Sequence, residues 1–299
     1  MTGAAGTVGL VGVGAMGRGI AKNLVAAGFA VRGFDLSDKR LAELEEFGGQ
    51  AVSSPAEAAS GADWLVLCLP GHEQVVDVLF GAGAAAAAAP PGCVVIDTST
   101  SLPEESIAVS QRLTQRGLAF VDASLSGTGA TIMHKDVVAL VGGSPEDVRR
   151  CAPVFDGFAR AYHHLGPVGS GALGKLLVNV VVVGNRLALA ESLALGMKAG
   201  MDPHALLAIL KDGPAYSRAM DLKGEKMITA DFRPESTLEQ SLHGAELLLA
   251  QARRVGSPLF GAAVYSQVAQ AAVAMGFGHL DPAALVEALL VMGGAEPRG

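Results

Sequence analysis

The sequence predicts two domains of different class. Residues 1–165 read as a doubly wound, mostly parallel α/β domain, and residues 166–299 as an all-helical one. Three observations predict this. Short apolar runs alternate with helical stretches through the first half, as in a parallel sheet covered on both faces. A glycine-rich turn, Gly12-Val13-Gly14-Ala15-Met16-Gly17, directly follows the first apolar run. After Gly166 the apolar period changes from strand to helix and no strand pattern returns.

Composition bounds the function. A length of 299 residues fits about two domains. The formal net charge is −7 and the basic residues are scattered, so nucleic-acid binding through a basic surface is not expected. An anionic ligand then needs local backbone amides and not a global positive field. Cys68, Cys93 and Cys151 are isolated, with no C-x-x-C spacing. They read as reduced apolar residues of a cytoplasmic protein. The opening MTGAAGTVGLVGVG lacks the basic segment of a signal peptide. The most apolar window, residues 176–183, is interrupted by Asn179 and followed by Asn185 and Arg186. It falls short of the ~20 apolar residues a membrane span needs, so no membrane partner is expected.

Residues 7–11 (TVGLV) read as the first strand, and residues 18–27 as a helix that Gly28 stops. Residues 30–34 form a second strand ending at Asp35. This is G-x-G-x-x-G with a strand before it, a helix after it and an acid at the end of the next strand, the Rossmann context for dinucleotide binding. Gly12 permits the tight turn, Gly14 lets backbone approach a pyrophosphate, and Gly17 lets helix and strand pack closely. Ala15 and Met16, within the same turn, count with the glycines as expected cofactor contacts, and the N-terminus of the helix that follows supplies unpaired N–H groups and favours negative charge. Asp35 suits the adenosine ribose hydroxyls and repels a 2′-phosphate, which favours NAD. Arg32, Lys39 and Arg40 nearby leave NADP possible.

The alternation continues. Helices are predicted over residues 38–47, from Ser54-Pro55, and over 74–80, 84–89, 103–116 and 145–155. Strands are predicted over 63–69, 92–97, 118–122, 137–141 and 159–164. In such sheets ligands sit beyond the C-terminal strand ends, where Leu69-Pro70, Ser99-Thr100 and residues 122–128 fall. In DASLSGTG, Asp122 to Gly129, the Ser-Gly-Thr-Gly loop after the strand reads either as presenting amides and two hydroxyls to an anion or as an ordinary polar turn.

In the second half, helices are predicted over 171–199, 203–211, 217–227, 237–255, 259–275 and 282–291. Asp202-Pro203 and Asp281-Pro282 are N-cap and first-turn pairs. Lys175 and Asn179 sit four residues apart near the start of the first of these helices, on one face. A buried lysine at a helix N-terminus has a lowered pKa, from desolvation and from the helix dipole. Such an amine can exchange a proton with a carbonyl or hydroxyl oxygen. The alternative is a surface lysine whose stem lies along apolar residues. Asn179 reads as holding a substrate hydroxyl, as positioning the lysine, or as a buried amide satisfied by backbone. The histidines show no metal-ligand spacing, so no metal is expected, and no G-x-S-x-G marks a nucleophilic serine.

GLVGVGAMGRGIAKNL, then CLP at Cys68-Leu69-Pro70, IDTST at residues 96–100, DASLSG at 122–127 and GxxGxGxxxKxxxN at 166–179 occur in this order. Together they resemble the β-hydroxyacid dehydrogenases, the hydroxyisobutyrate dehydrogenase and tartronate semialdehyde reductase group related to phosphogluconate dehydrogenase. The resemblance covers nearly the whole chain. It implies an N-terminal Rossmann domain, a long interdomain helix and a helical domain for substrate binding and dimerisation. It implies hydride transfer between NAD(H) and a small hydroxycarboxylic acid or semialdehyde, with Lys175 as general acid/base and Asn179 on the substrate. Ser126, Gly127 and Thr128 then anchor a substrate carboxylate, and Leu69, Pro70, Gln74 and Thr100 lie along the dinucleotide. Homodimers or homotetramers are implied.

The chain also departs from the family pattern. Ser124 stands for a proline, Thr128 for a glycine, and Lys135-Asp136-Val137 for G-T-L. His243-Gly244 occupies the register of a K-D pair whose lysine contacts cofactor, so His243 is the substitute contact. Two other readings compete. One is an imine reductase of the same fold, against which Lys175 counts. The other is a non-catalytic dinucleotide-binding protein.

Overall fold

The computed structural model describes residues 5–81 and 85–298. Residues 1–4, the start of the stretch read for a leader, and Ala84, the start of the alanine run, lie outside the described residues. The chain divides into two compact units, Met1–Lys175 and Leu176–Gly299.

The first unit is built on an eight-stranded sheet. In chain order its strands are β1 (Thr7–Val11), β2 (Ala30–Phe34), β3 (Gln50–Ala51), β4 (Trp64–Leu67), β5 (Val94–Asp97), β6 (Ala119–Ser126), β7 (Val138–Gly142) and β8 (Ala161–Gly166). The spatial order is β3-β2-β1-β4-β5-β6-β7-β8. Every pairing is parallel except β6 with β7. The helices are α1 (Ala15–Ala26), α2 (Asp38–Glu46), α3 (Pro55–Ala59), α4 (His72–Phe80), α5 (Ala85–Ala88), α6 (Pro103–Thr114), α7 (Gly129–Ile132) and α8 (Pro145–Phe158).

Central strands such as WLVL and VVID are apolar on both sides because both faces are covered. One face packs Leu10, Ile20, Leu24, Val66 and Phe155, the other Leu65, Leu67, Leu79, Val95 and Leu113. Ser54 caps α3 as its position before Pro55 predicts, its Oγ accepting the Glu57 N–H at 3.1 Å. Gly28 ends α1 with φ +90°, a conformation glycine adopts at no steric cost.

The structure corrects one reading here. The strand expected over 118–122 does not end at Asp122: β6 runs on through Ser126. Ala123 and Leu125 are buried apolar positions, and Ser124, although polar, is also buried, its hydroxyl donating to the Ser99 carbonyl at 3.3 Å. The antiparallel partner β7 supplies the ladder that holds this extension.

Helix α9 (Ser170–Lys198) begins in the last residues of the first unit, and its residues from Leu176 onward belong to the second. There follow α10 (Pro203–Asp212), α11 (Arg218–Thr229), α12 (Leu238–Val255), α13 (Phe260–Ala272), a π-helical segment Val273–Phe277, a 3-10 turn Pro282–Ala284, and α14 (Leu285–Met292). The helix expected over 259–275 appears as α13 and the π-helical turn that follows it, and Gly276, with φ +91°, leaves the helical region just beyond the expected end. Asp202 and Asp281 cap as predicted, accepting the His204 N–H at 3.1 Å and the Ala283 N–H at 2.9 Å. Leu193, Leu207, Met227, Leu248, Tyr265 and Leu285 are among its buried residues.

Helix α11 ends on Ala230 in the left-handed conformation, φ +55°. An L-residue there is strained by roughly 1 kcal/mol, which glycine relieves. Ala230→Gly is therefore expected to raise stability by up to about 1 kcal/mol in chemical denaturation.

Helix α9 has 29 residues and a mean hydropathy of 1.5 over its best window. The apolar window 176–183 within it is shorter than a membrane span. By length and composition the helix is long and apolar enough, because the apolar run resumes after Arg186. Core helices of globular proteins share that composition. Its most exposed large apolar positions fall in one stripe, with Leu177 59%, Val181 61% and Leu195 73% exposed. The 3-4 spacing continues between them through Gly184, Ala188 and Glu191.

Candidate active site

The glycine loop is shaped by close backbone approach. Gly12 has φ +95°, and a Cβ there would collide with the Cys68 carbonyl. A Cβ on Gly17 would collide with the Gly12 carbonyl, so the start of α1 packs directly on the turn. At Gly14 the nearest atom to a Cβ is Arg40 Nη1 at 3.9 Å. Gly14 thus leaves an open cradle at an N-terminus with no side-chain cap, where the first amides of a helix suit a phosphate. Ala15 is exposed and Met16 half-buried beside it.

Asp35, just after β2, is fastened to the glycine loop. Its Oδ2 accepts the Val13 N–H at 2.8 Å, and its Oδ1 accepts the Ser37 N–H at 2.9 Å. Arg40 Nη1 reaches both oxygens at 3.4 Å and is half exposed. These residues fit a dinucleotide: an open glycine cradle, a helix start with no side-chain cap, and an acid whose lone pairs are only partly used.

The other predicted cofactor contacts in this unit stand at neighbouring strand ends. Leu69 follows β4, and its N–H donates to Ser99 Oγ at 3.1 Å. Pro70 and Gln74 are exposed at the start of α4, and Thr100 is half-buried after β5.

Ser126 ends β6 half-buried, and among the described residues its hydroxyl has no protein partner. Gly127 is exposed, with φ +155°, and a Cβ on it would strike Val137. Thr128 opens α7 in a capping box: its N–H donates to Thr131 Oγ1 at 2.9 Å, and its Oγ1 accepts the Thr131 N–H at 3.2 Å. Its amide is thereby occupied, and its hydroxyl proton remains available. This loop packs on the glycine loop, because a Cβ on Gly129 would lie 2.9 Å from the Ala15 Cβ. Asn23 of α1 fastens α7 further, donating to the Ile132 carbonyl at 2.6 Å.

Lys175 is delivered by a device that sequence reasoning missed. Asp122 of β6 is 2% exposed. Its Oδ1 accepts the Gly169 N–H and its Oδ2 the Ala172 N–H, each at 2.8 Å. These are the two bonds of a capping box, made by one carboxylate from a distant strand to the first turn of α9. Gly142 and Gly171 clear the space, since a Cβ at either would crowd Asp122 oxygens. Three residues further along both elements, Lys175 Nζ donates to the Leu125 carbonyl at 2.6 Å. Burial of the amine lowers the Lys175 pKa to about 8. The signal for Asp122 in the sequence was only its place in DASLSG. Asp122→Asn keeps one acceptor and opposes the other amide with an N–H. It is expected to cost roughly 1–3 kcal/mol of stability and to lower turnover, measured as kcat beside the melting temperature.

Asn179 is half-buried on α9, and a Cβ on Gly244 of α12 would stand 3.9 Å from its Nδ2. His243 is exposed on α12. Among the described residues no group of three or more His, Cys, Asp or Glu could hold a metal ion. Cys68, Cys93 and Cys151 are free thiols, and burial pushes Cys93 up to about 11. A cleft of about 430 Å³ lined by His134, Lys135, Asp136 and Arg160 shares no residue with this site.

Residues 7–166 match the family profile described as the NAD binding domain of 6-phosphogluconate dehydrogenase. Residues 169–289 match the one described as NAD-binding of NADP-dependent 3-hydroxyisobutyrate dehydrogenase. The chain belongs to the β-hydroxyacid dehydrogenase family. This β-hydroxyacid dehydrogenase is 31% identical to the L-threonate dehydrogenase of Cupriavidus necator, over 94% of its own chain and 95% of the relative. It is 29% identical to the 2-(hydroxymethyl)glutarate dehydrogenase of Eubacterium barkeri, over 98% and 97% of the two chains. The crystal structure of a 3-hydroxyisobutyrate dehydrogenase from Salmonella typhimurium matches with a TM-score of 0.88 at 26% identity, covering 94% of this chain and 98% of that one. The protein is thus an NAD(P)-dependent oxidoreductase, and the hydroxyacid dehydrogenase reading stands ahead of the imine reductase and non-catalytic ones.

Proposed function

We propose that this enzyme interconverts a small hydroxycarboxylic acid and the corresponding semialdehyde or other carbonyl compound, with NAD preferred to NADP. The observation that carries the reading is the Lys175 amine, hydrogen-bonded to Leu125 and lowered to about pKa 8 by burial. An amine so poised exchanges protons near neutral pH. The nicotinamide supplies or accepts the hydride. In reduction Lys175 Nζ gives its proton to the carbonyl oxygen, and in oxidation it takes the proton from the hydroxyl. Asn179, four residues along the same helical face, holds that oxygen in register. The Ser126 hydroxyl, the Gly127 backbone and the Thr128 hydroxyl take the substrate carboxylate. The substrate class is supported by the relatives, whose names specify L-threonate and 2-(hydroxymethyl)glutarate.

Gly12, Gly14, Ala15, Met16 and Gly17 hold the pyrophosphate in this reading, Asp35 the ribose, and His243 is a further cofactor contact. The preference for NAD rests on Asp35, while Arg40 beside it offers a cation to a 2′-phosphate. Asp35→Ser is expected to shift the ratio of kcat/KM for NADPH over NADH upward by about tenfold or more, since it removes a charge repulsion. An unchanged ratio would place the selectivity elsewhere.

The exposed apolar stripe of α9 supports a homodimer or homotetramer, which analytical ultracentrifugation of the protein and of Leu177→Lys would test. A cytoplasmic location, where the three free thiols stay reduced, completes the proposal, with neither nucleic acid nor membrane as partner. The test of the activity is hydride transfer followed at the nicotinamide absorbance with NADH and NADPH against hydroxy acids, semialdehydes and cyclic imines. Turnover of imines with none of hydroxy acids would replace this reading.

A further inference from the structure

Helix α9 carries a second solvent-reaching stripe, opposite the apolar one. It runs through Lys175, Asn179, Val182 and Arg186, a spacing that keeps all four on one face. The reaction proposed above uses the first two and leaves Arg186 without a task. Arg186 lies about 10.5 Å along the axis beyond Asn179. Its Nη1 donates to Ser241 Oγ at 2.8 Å and to the Tyr265 hydroxyl at 3.2 Å. Those two hydroxyls bond each other at 2.6 Å, and Tyr265 is fully buried, so the guanidinium is rigidly held.

What is missing is a counter-charge. Among the described residues no carboxylate lies within 4.0 Å of Arg186. Its Nε is buried with no partner. A half-buried cation without an acid is costly, and here two neutral hydroxyls orient it without neutralising it. Ser241 and Gly244 lie three residues apart on α12, and the absent side chain of Gly244 leaves room beside Asn179. Helical side chains lean toward the helix N-terminus, so Arg186 reaches back toward that room.

We infer that Arg186 binds a second carboxylate on the substrate, and that the preferred substrates are elongated hydroxy acids with an acid group at each end. This rests on the hydroxyacid reading above: Lys175 and Asn179 act at one end of the substrate and Arg186 at the other. The fork of a guanidinium suits a carboxylate, and its pinning by Ser241 and Tyr265 reduces what must be ordered on binding.

The test is calorimetric binding of glutarate and of valerate, its monoacid counterpart in chain length, to the full-length protein saturated with NADH. Glutarate is expected to bind about tenfold tighter or better. Arg186→Met should bring the ratio of the two dissociation constants close to one. Arg186→Lys should fall between, because it keeps the charge and loses the fork. Should Arg186→Met fail to bind NADH or to melt cooperatively, Ser241→Ala serves instead and should lower the ratio in part. Equal binding of the two acids to the unmodified protein, or a ratio that survives these substitutions, overturns the inference alone. Binding of neither acid overturns it together with the hydroxyacid reading.

Discussion

Lys175→Met is expected to lower kcat by about 10²- to 10⁴-fold while NADH binding persists, the range lost when a positioned acid or base is removed. The substitution replaces the amine with an apolar group of similar length and leaves the Leu125 carbonyl without its donor. The pH profile of the unmodified enzyme should carry the same signature. Oxidation needs the neutral amine, so its rate should rise with pH and level off above about 8, where the amine loses its proton. Reduction needs the charged amine, so its rate should fall over the same interval.

A second consequence separates function from stability. The folded-state pKa of Lys175 lies below the ordinary value of a lysine, because burial disfavours the charged form. The unfolded chain therefore holds the proton more tightly. The resulting penalty is fully present below pH 8 and fades as pH rises from about 8 toward the ordinary lysine range. Its size is on the order of 3 kcal/mol. Lys175→Met should thus melt higher than the unmodified protein at pH 7, and the gain should shrink above pH 9. Near-normal turnover in this variant would remove Lys175 from the chemistry.

Asp281→Ala is expected to destabilise the second unit by about 3–5 kcal/mol, the cost of stranding a buried charge. Asp281 is fully buried, and its Oδ2 accepts from Lys223 Nζ at 2.8 Å and from Lys226 Nζ at 3.4 Å. Lys223 is itself 7% exposed. Oδ1 meanwhile caps the turn at Ala283. Burial pushes the Asp281 carboxyl up, but the Lys223 hydrogen bond, the Ala283 N–H and the two lysine charges outweigh it and hold the carboxyl below its ordinary range. The contribution is therefore present above the ordinary carboxylate pKa and lost as pH falls through the folded value. Asp281→Asn keeps an acceptor for Ala283 and still strands Lys223, so urea denaturation at pH 7 should show most of the same loss. An Asn variant as stable as the unmodified protein would assign the effect to the cap.

The residues of the site show how far local pattern reaches. The glycine loop was legible because its constraints are local: strand, turn and helix are consecutive, and each glycine answers to backbone a few residues away or to the adjacent strand end. The caps at Ser54, Asp202 and Asp281 were legible for the same reason, since each bonds an amide two or three residues on. The extension of β6 through DASLS was not, because Ser124 and Ser126 read as loop residues until β7 is known to pair with them.

By itself, then, the sequence determined the alternating α/β half, the helical half, the dinucleotide turn and the helix that carries Lys175. Hydrophobic period, glycine placement and capping chemistry act over one or two turns of chain, and they suffice for that. Tertiary structure alone decided what surrounds the lysine and what does not surround the arginine. Asp122 meets the first turn of α9 across 47 and 50 residues, and Leu125 meets Lys175 across 50. Ser241 and Tyr265 reach Arg186 across 55 and 79. Desolvation and charge pairing depend on every atom that displaces water from a group, and those atoms come from segments whose proximity no local pattern encodes.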